Sequence, residues 1–211
     1  MKAVRVAFAA LPAMLLAGCV SVGLGGDMPA QALYRLHDPA APAERRAAPL
    51  VAALLIQSQP ADATADGLSI AYSTAPNRFA HYQLASWTDR PVKQLPRLLQ
   101  QRLEARGVAG AVGMVGDPLR ADWWLAIAIE TLHHDVSVPP GQGRLVYSAE
   151  LIDRRSRTRV AHQRFEVAVP TSRADAAAAA AALSAAAAQS FDVLVPWLEA
   201  ALQRSGARAA P

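Results

Sequence analysis

Residues 121–134, ADWWLAIAIETLHH, alternate between two kinds of side chain. Successive side chains of a β-strand point to opposite faces, so this pattern predicts a strand. One face carries the large apolar residues and needs a core to cover it: Trp123, Leu125, Ile127 and Ile129. The other face carries Trp124, Ala126, Ala128 and Glu130. Its small side chains would let a helix approach closely, but the pattern leaves open whether one does.

Other stretches show strand patterns of two kinds. Residues 50–56 form a continuous apolar run, which is typical of a central strand, and residues 33–36 form a shorter candidate. Residues 68–74 and 78–87 flank a turn at 75–77, which predicts a hairpin. A second, longer hairpin is predicted from residues 144–153 and 159–169 around a charged turn.

The stretch at residues 88–107 predicts the first long helix. Its leucines recur at helical spacing at positions 95, 98, 99 and 103. Thr88 or Asp89 is suited to cap its start, Pro91 suits the first turn, and Gly107 suits the end. We therefore expect a helix whose leucine face packs on the sheet.

Residues 174–206 predict a second long helix. Alanine has the highest helix propensity, although an alanine tract also allows disorder. Pro196 lacks an N–H, so we expect a kink or a break near it. A membrane-spanning helix is disfavoured because Asp175, Gln189 and Asp192 interrupt the apolar run. The order of strands and helices predicts one α/β (α+β) domain at residues 32–206, followed by a disordered tail at 207–211.

The N-terminus has the layout of a secretory signal peptide, with Lys2 and Arg5 before an apolar run at residues 6–18. That run is shorter than the roughly 20 residues that cross a bilayer. The sequence LAGC at residues 16–19 resembles the lipobox of bacterial lipoproteins, in which the cysteine receives a diacylglyceryl group and its freed amine is acylated. We expect a signal peptide at 1–18 and lipidation of Cys19.

The alternative is cleavage elsewhere, with Cys19 left as a free thiol, which is unusual in a secreted protein. Acyl chains such as palmitate would anchor the chain firmly, because stable anchoring takes more than one chain. Val20 rather than Asp follows the cysteine, and by resemblance to enterobacterial sorting this favours the outer membrane. Residues 19–31 are rich in glycine and predict a flexible tether with an end-to-end distance of roughly 20 Å.

Charge and motifs exclude several classes of function. Removal of residues 1–18 leaves 19 basic and 17 acidic residues, a formal charge of +2. This small excess of basic residues does not indicate a nucleic-acid-binding protein. Hydrolase, phosphate-loop and zinc-protease motifs are missing. His133 and His134 are adjacent on a predicted strand and point to opposite faces, so they are not expected to share a metal. We predict neither a metal nor a cofactor.

The order of motifs resembles a known family. The motifs are LYRL at residues 33–36, IAYSTAPNRFAHYQLASWTDRP at 70–91, ADWWLAIAIETLHH at 121–134 and YSAELIDRRSRTRVAHQRFEVAVP at 147–170. Together with the lipobox and the alanine-rich helix, they are similar to the ABC-type transport auxiliary lipoproteins. These are small partners of mammalian-cell-entry (MCE) transport systems, of which the paraquat-inducible system is one.

This resemblance implies a mixed, largely antiparallel sheet packed by two main helices. It also implies a non-enzymatic subunit on the periplasmic face of the outer membrane of a Gram-negative bacterium. The subunit would serve an intermembrane route for lipid or hydrophobic solute, with an MCE-domain channel subunit as its partner. Whether the subunit forms a homo-oligomer stays open. The family motif implies structural roles for Tyr34 and Trp87.

Two groups of residues are candidates for contact with a partner or with lipid. Arg154, Arg155, Arg157 and Arg159 would place four guanidinium groups at one hairpin tip, suited to acidic headgroups or an acidic protein patch. An arginine-rich tip is equally explained as a solvated turn. Trp124 is either covered by a helix or part of an exposed contact surface.

Two other function classes stay open at this point. An assembly or docking lipoprotein for a lipopolysaccharide-export barrel or a secretin would share the signal peptide and the tether. A periplasmic enzyme would need a pocket of ionisable groups with perturbed pKa values.

Overall fold

The computed structural model describes residues 30–40 and 44–209. The predicted signal peptide, Cys19 and nearly all of the tether lie outside these residues, as do Ala210 and Pro211. The elements in chain order are β1 (Ala32–Tyr34), β2 (Val51–Pro60), α1 (Ala63–Asp66), β3 (Ser69–Ala75), β4 (Arg78–Trp87), α2 (Pro91–Arg106), β5 (Ala109–Met114), β6 (Trp123–Asp135), β7 (Gln142–Asp153), β8 (Thr158–Pro170) and α3 (Ala176–Ala209).

Strand β6 organises the sheet because it pairs along both of its edges. One edge pairs antiparallel with β7 along its whole length, and β7 in turn pairs with β8. The other edge pairs first with β2 and then, at His134 and Asp135, with β3, both in parallel. Beyond these strands the order continues to β5 on one side and to β4 and β1 on the other. The predicted mixed sheet in a single α+β domain is confirmed, and its two longest ladders are antiparallel.

Helices α2 and α3 pack on one face of the sheet. That face carries the predicted apolar row of β6, in which Leu125, Ile127 and Ile129 are buried. Leu95, Leu99 and Leu103 of α2 join the same core cluster, as does the buried face of α3. The leucine spacing in α2 therefore predicted its buried side correctly.

The N-terminus of α2 differs from the prediction by one or two residues. Arg90 is the N-cap and makes no capping hydrogen bond through its side chain. Pro91 occupies the first turn and has no N–H to satisfy, which reduces the need for a side-chain cap. Asp89 instead accepts a hydrogen bond from the Arg90 backbone N–H at 2.8 Å. Gly107 ends the helix in the left-handed conformation, with φ 70°.

Helix α3 contains the alanine tract, which is helical as predicted. Of the kink or break expected near Pro196, the break does not occur, since the helix runs through that position to Ala209. A proline in a helix removes one backbone hydrogen bond. Buried residues on both sides of it, including Phe191, Leu194 and Leu198, hold the helix against the sheet and offset that loss.

The opposite face of the sheet carries no helix in the part of the chain that the structure describes. Trp124, Ala126 and Ala128 are half-buried on this outer face. A small apolar cluster of Ala53, Leu55 and Ala121 covers only one end of it. The small side chains that left room for a helix thus belong to an uncovered sheet face.

Strand β4 forms an exposed edge with a strained residue in it. β1 pairs only with Ala85 to Trp87, and no described strand pairs with the outer edge of residues 78–84. Leu84 lies there at φ 49°, at an irregularity in the β3–β4 register, and is 55% exposed. A left-handed backbone costs a non-glycine residue about 1–2 kcal/mol.

Leu84→Gly should raise the free energy of unfolding by about 0.5–1 kcal/mol. The relief of backbone strain exceeds the entropic cost of a glycine in the unfolded chain. Urea unfolding of the variant measures the change. Leu33→Gly is the matched control, because Leu33 is also exposed on this edge but is not among the positive-φ residues, and this change should destabilise the fold. A loss of stability in Leu84→Gly would contradict the strain argument.

Candidate functional site

The arginine-rich hairpin tip between β7 and β8 is tied to the start of β6. Arg154 donates to the Ala121 carbonyl at 2.7 Å, and Arg155 pairs with Asp122 at 2.6 Å. Arg159 pairs across the strands with Glu150 at 2.6 Å. Arg157, at φ 58°, is exposed and has no ion-pair partner among the described residues. The tip is therefore held to the start of β6, and two of its four arginines, Arg155 and Arg159, are ion-paired among the described residues.

Trp124 lies on the outer face near the same end of the sheet. Its register partners are Leu55 of β2 and Ile152 of β7. The indole is half-buried, and its Nε1 is shielded from solvent without a hydrogen-bond partner in the described part of the chain. Trp123 packs against the main core on the opposite face. Trp124 was expected either to be covered by a helix or to be part of an exposed contact surface. None of the described helices covers it.

Tyr34 and Trp87 are register partners in the β1–β4 ladder. Trp87 is 2% exposed and belongs to the main core, and Tyr34 packs against that core. The Tyr34 carbonyl accepts a hydrogen bond from the Thr88 N–H at 2.7 Å. Both aromatic residues thus hold the short β1 against the sheet where the chain enters the domain.

A groove of about 440 Å³ lies at the other end of the outer face, beside the β3–β4 turn. Its main side chains are Phe79, Glu130, His133, Asp135, Arg144 and Arg164. Sequence reasoning did not bring these residues together. The charged residues along β6, β7 and β8 were the available signal for this groove. They could be grouped only once the register of the three strands was known.

The charges of this groove form a continuous chain of ion pairs across three strands. Arg164 contacts Glu130 at 2.8 Å and Glu166 at 2.9 Å. Arg144 also pairs with Glu166 and lies 3.9 Å from Asp135. Hydrogen bonding to these two arginines holds the pKa of Glu166 below its usual range. Because Glu130, Asp135, Arg144 and Arg164 are paired with one another or with Glu166, the groove is better suited to a polar protein contact than to an isolated ionic ligand.

The two adjacent histidines lie on opposite faces of β6, as the alternation predicted. His133 contacts the Phe79 ring edge-on at 5.1 Å and bonds Thr131 through Nδ1 at 2.8 Å. His134 is fully buried and lies between Tyr82 and Thr171. Among the described residues, no group of three His, Cys, Asp or Glu side chains could hold a metal ion.

The hydrogen bonds around His134 assign its neutral tautomer. The Thr171 hydroxyl donates to the Pro140 carbonyl at 2.9 Å, so its oxygen accepts from His134 Nε2–H at 3.0 Å. His134 Nδ1 then accepts from the Tyr82 hydroxyl at 2.8 Å. Burial lowers the pKa of His134 and of His133, and it raises the pKa of Tyr82. This network locks the end of β6 to β4 and to the residue after β8.

The free energy of unfolding should decrease as the pH falls below about 6.5. Both histidines have folded-state pKa values below the ordinary 6.5, so the unfolded chain binds more protons in this range. Their stabilising effect is complete above pH 6.5 and is lost progressively below it. Urea unfolding across this range measures the slope, and His133→Gln and His134→Gln should each flatten it. An unchanged slope in both variants would contradict the assignment.

Comparison with known proteins identifies the family. The chain matches the ABC-type transport auxiliary lipoprotein components over residues 34–194. It therefore belongs to this family, whose description is that of an auxiliary transport component and not of a catalyst. No curated protein matches the chain.

Solved structures share the fold. Protein XCC0632 from Xanthomonas campestris, of the family DUF330, superposes with a TM-score of 0.72 at 25% identity, covering 82% of this chain and 98% of that one. An uncharacterised protein superposes with a TM-score of 0.62 at 14% identity, covering 80% of this chain and 99% of its own. The latter likeness concerns the fold alone.

Helix α3 is the one described helix that is long and apolar enough to cross a membrane by length and composition. However, 67% of its apolar window is buried within the domain. This burial is what a core helix of the α+β domain requires. The family membership points to a membrane-anchored envelope lipoprotein.

Proposed function

We propose that this chain is a periplasmic lipoprotein anchored to the outer membrane through acylated Cys19. It acts as a non-catalytic accessory subunit of an ABC/MCE-type intermembrane transport system for lipid or another hydrophobic solute. The family match over residues 34–194 is the observation that carries this proposal. The lipobox just upstream of the matched region supports the anchor.

The outer face of the sheet supports the docking part of the proposal. It has no helix on it among the described elements, it carries paired charges, and the half-buried Trp124 lies near the hairpin tip. An MCE-domain channel subunit bound here would meet an ordered surface, since the tip is braced on Asp122. Arg154, Arg155, Arg157 and Arg159 are the proposed rim of this contact, with Arg157 the most available of them. Self-association into a homo-oligomer is compatible with the same face.

Cys19→Ser should release the protein from the membrane fraction. The variant is expressed behind a cleavable signal peptide of a secreted, non-lipidated protein, so that no uncleaved leader holds it. Acyl chains contribute about 0.8 kcal/mol per buried methylene, and their loss removes the anchor. The wild-type chain behind its own residues 1–18 is the control. Retention of the serine variant on membranes would contradict the lipid anchor.

The partner is tested separately, by purifying the lipidated protein from native membranes in mild detergent and identifying co-purifying proteins by mass spectrometry. Recovery of an MCE-domain protein is the expected result. Arg157→Glu should reduce that recovery, and Arg173→Glu, a change at an exposed arginine outside the tip, should not. Recovery of an outer-membrane barrel or a secretin without an MCE protein would replace the transport proposal with the assembly alternative.

A further inference from the structure

We propose that the sheet edge formed by β1 and β4 rests on the phospholipid surface to which the chain is anchored. This inference rests on the lipid anchor in the proposed function. It adds a second, direct contact between the folded domain and the membrane. The occupant of the edge is an anionic bilayer surface, and the contact is made by apolar side chains flanked by cationic ones.

Four of the eight large apolar side chains that are exposed in the described residues lie on or next to the strands of this edge. In the described residues, the exposed leucines lie on β1, on β4 or next to β3: Leu33, Leu68 and Leu84. Leu33 is the most exposed of them, at 65%. Phe79 of β4 is also exposed, but its ring packs against His133 in the groove of the outer face. The other large apolar side chains that are exposed are valines on separate elements: Val115, Val138, Val160 and Val193. Leucine and phenylalanine gain more than valine from insertion among acyl chains, because they bury more apolar area.

The charge of the edge complements anionic headgroups. β1 and β4 contain Arg78 and His81 and no carboxylate, and exposed Arg35 follows β1 directly. Two nearby carboxylates, Asp66 at the end of α1 and Asp89 before α2, are paired with Arg90 and Arg97. Basic residues near an anionic membrane surface are attracted to it within about a Debye length. The hairpin tip lies on the opposite side of β6, and two of its four arginines are ion-paired within the chain.

The chain enters the domain at this edge. Gln31 donates from Nε2 to Ser86 Oγ of β4 at 2.7 Å, directly before β1 begins. In the sequence, only residues 20–30 lie between Gln31 and Cys19. The segment that carries Cys19 therefore joins the described domain at the β1–β4 edge.

Leu84 supplies an independent argument. It is a large apolar residue that is both exposed and held in the left-handed conformation. Folding gains little from such a residue, because its side chain is not buried and its backbone is strained. Strain at an exposed position is typical of functional sites. A contact that forms only at the membrane explains why the side chain is presented there.

The test uses the full lipidated protein, purified from membranes and reconstituted in vesicles of phosphatidylethanolamine and phosphatidylglycerol. Leu33→Cys and Leu84→Cys each introduce one thiol for an environment-sensitive fluorophore, because the acylated Cys19 does not react. Val160→Cys on β8 is the matched control, since Val160 is exposed at the far edge of the sheet. Nitroxide-labelled lipid should lower the emission at positions 33 and 84 at least about twofold and leave position 160 nearly unchanged, as expected for side chains inserted at the acyl boundary.

The possible results separate this inference from the function on which it rests. Failure of the protein to float with vesicles overturns the lipid anchor, and the edge contact falls with it. Flotation without quenching at positions 33 and 84 overturns the edge contact alone. Labels that are protected from aqueous iodide but not quenched by lipid also overturn it, because a protein then covers the edge. As a further check, Leu84→Gly should raise the melting temperature while it exposes a label at position 33 to iodide.

Discussion

Arg102→Ala should lower the free energy of unfolding by about 3 kcal/mol or more, the largest loss expected for a single change in this protein. The Arg102 guanidinium donates to both carboxylate oxygens of Asp38, at 2.8 and 2.6 Å. It also donates to Asp192 of α3 at 2.6 Å and lies 5.9 Å from the centre of the Phe191 ring. One side chain of α2 thereby ties the segment after β1 to α3.

Burial makes this arginine different from the others. Its side chain is only 9% exposed, and that of Asp38 is 16% exposed, so alanine would leave a largely buried carboxylate without its cation. The same pairing raises the pKa of Arg102, chiefly through the hydrogen bond to Asp38, so the guanidinium stays charged at every accessible pH.

Urea unfolding at neutral pH measures the loss, and α2 itself provides the matched control. Arg97 pairs with Asp89 at 3.6 Å, but its side chain is 64% exposed, so Arg97→Ala should cost no more than about 0.5 kcal/mol. A double-mutant cycle of Arg102→Ala with Asp38→Ala should show strong coupling. Equal effects for the two arginines would show that burial of the pair does not determine its contribution.

Gly143→Ala should lower the free energy of unfolding by about 2 kcal/mol, although alanine usually stabilises a strand relative to glycine. A Cβ at position 143 would lie 2.9 Å from the Ala182 carbonyl carbon, the Ala182 Cβ and the Leu183 backbone nitrogen. Two of these atoms belong to the backbone of α3, which would have to move away from β7. The alanine tract of α3 and this glycine together permit the close approach of helix and sheet.

Gly67→Ala is the control for this change, because the same atom would meet nothing closer than 3.8 Å at that position. Gly67 has φ −96°, which alanine adopts readily, so this substitution should be neutral or stabilising by about 0.5 kcal/mol. Thermal or urea unfolding of the two variants makes the comparison. A Gly143→Ala protein as stable as the wild type would mean that α3 does not pack as closely as the structure indicates.

Local patterns along the chain were sufficient for most of the elements. The alternation of β6, both hairpins, the leucine face of α2 and the helical alanine tract were all predicted from residue spacing. The errors occurred where neighbouring elements decide the outcome. Pro196 does not end α3, because buried residues on both sides of it hold the helix on the sheet.

The candidate contact residues were predictable only in part. Tyr34 and Trp87 were expected in structural roles, and they lie opposite each other in the β1–β4 ladder. The arginines at the hairpin tip were found by composition, but whether they are paired depends on Asp122 and Glu150, which lie elsewhere in the sequence. The groove beside the β3–β4 turn and the apolar edge of β1 and β4 were not predicted, because the first depends on the register of three strands and the second on which strands have neighbours.

From the sequence alone, most elements of this protein could be predicted, although α1 and β5 were not. The α+β class, the resemblance to the transport auxiliary lipoproteins and the expected lipid attachment at Cys19 also came from the sequence. These properties follow from residue spacing and short motifs, which act over a few neighbouring residues. Only the tertiary structure decided which face of the sheet stays uncovered, which arginines are paired and which edge presents leucines to solvent. Those features depend on contacts between residues far apart in the chain, and no local pattern records such contacts.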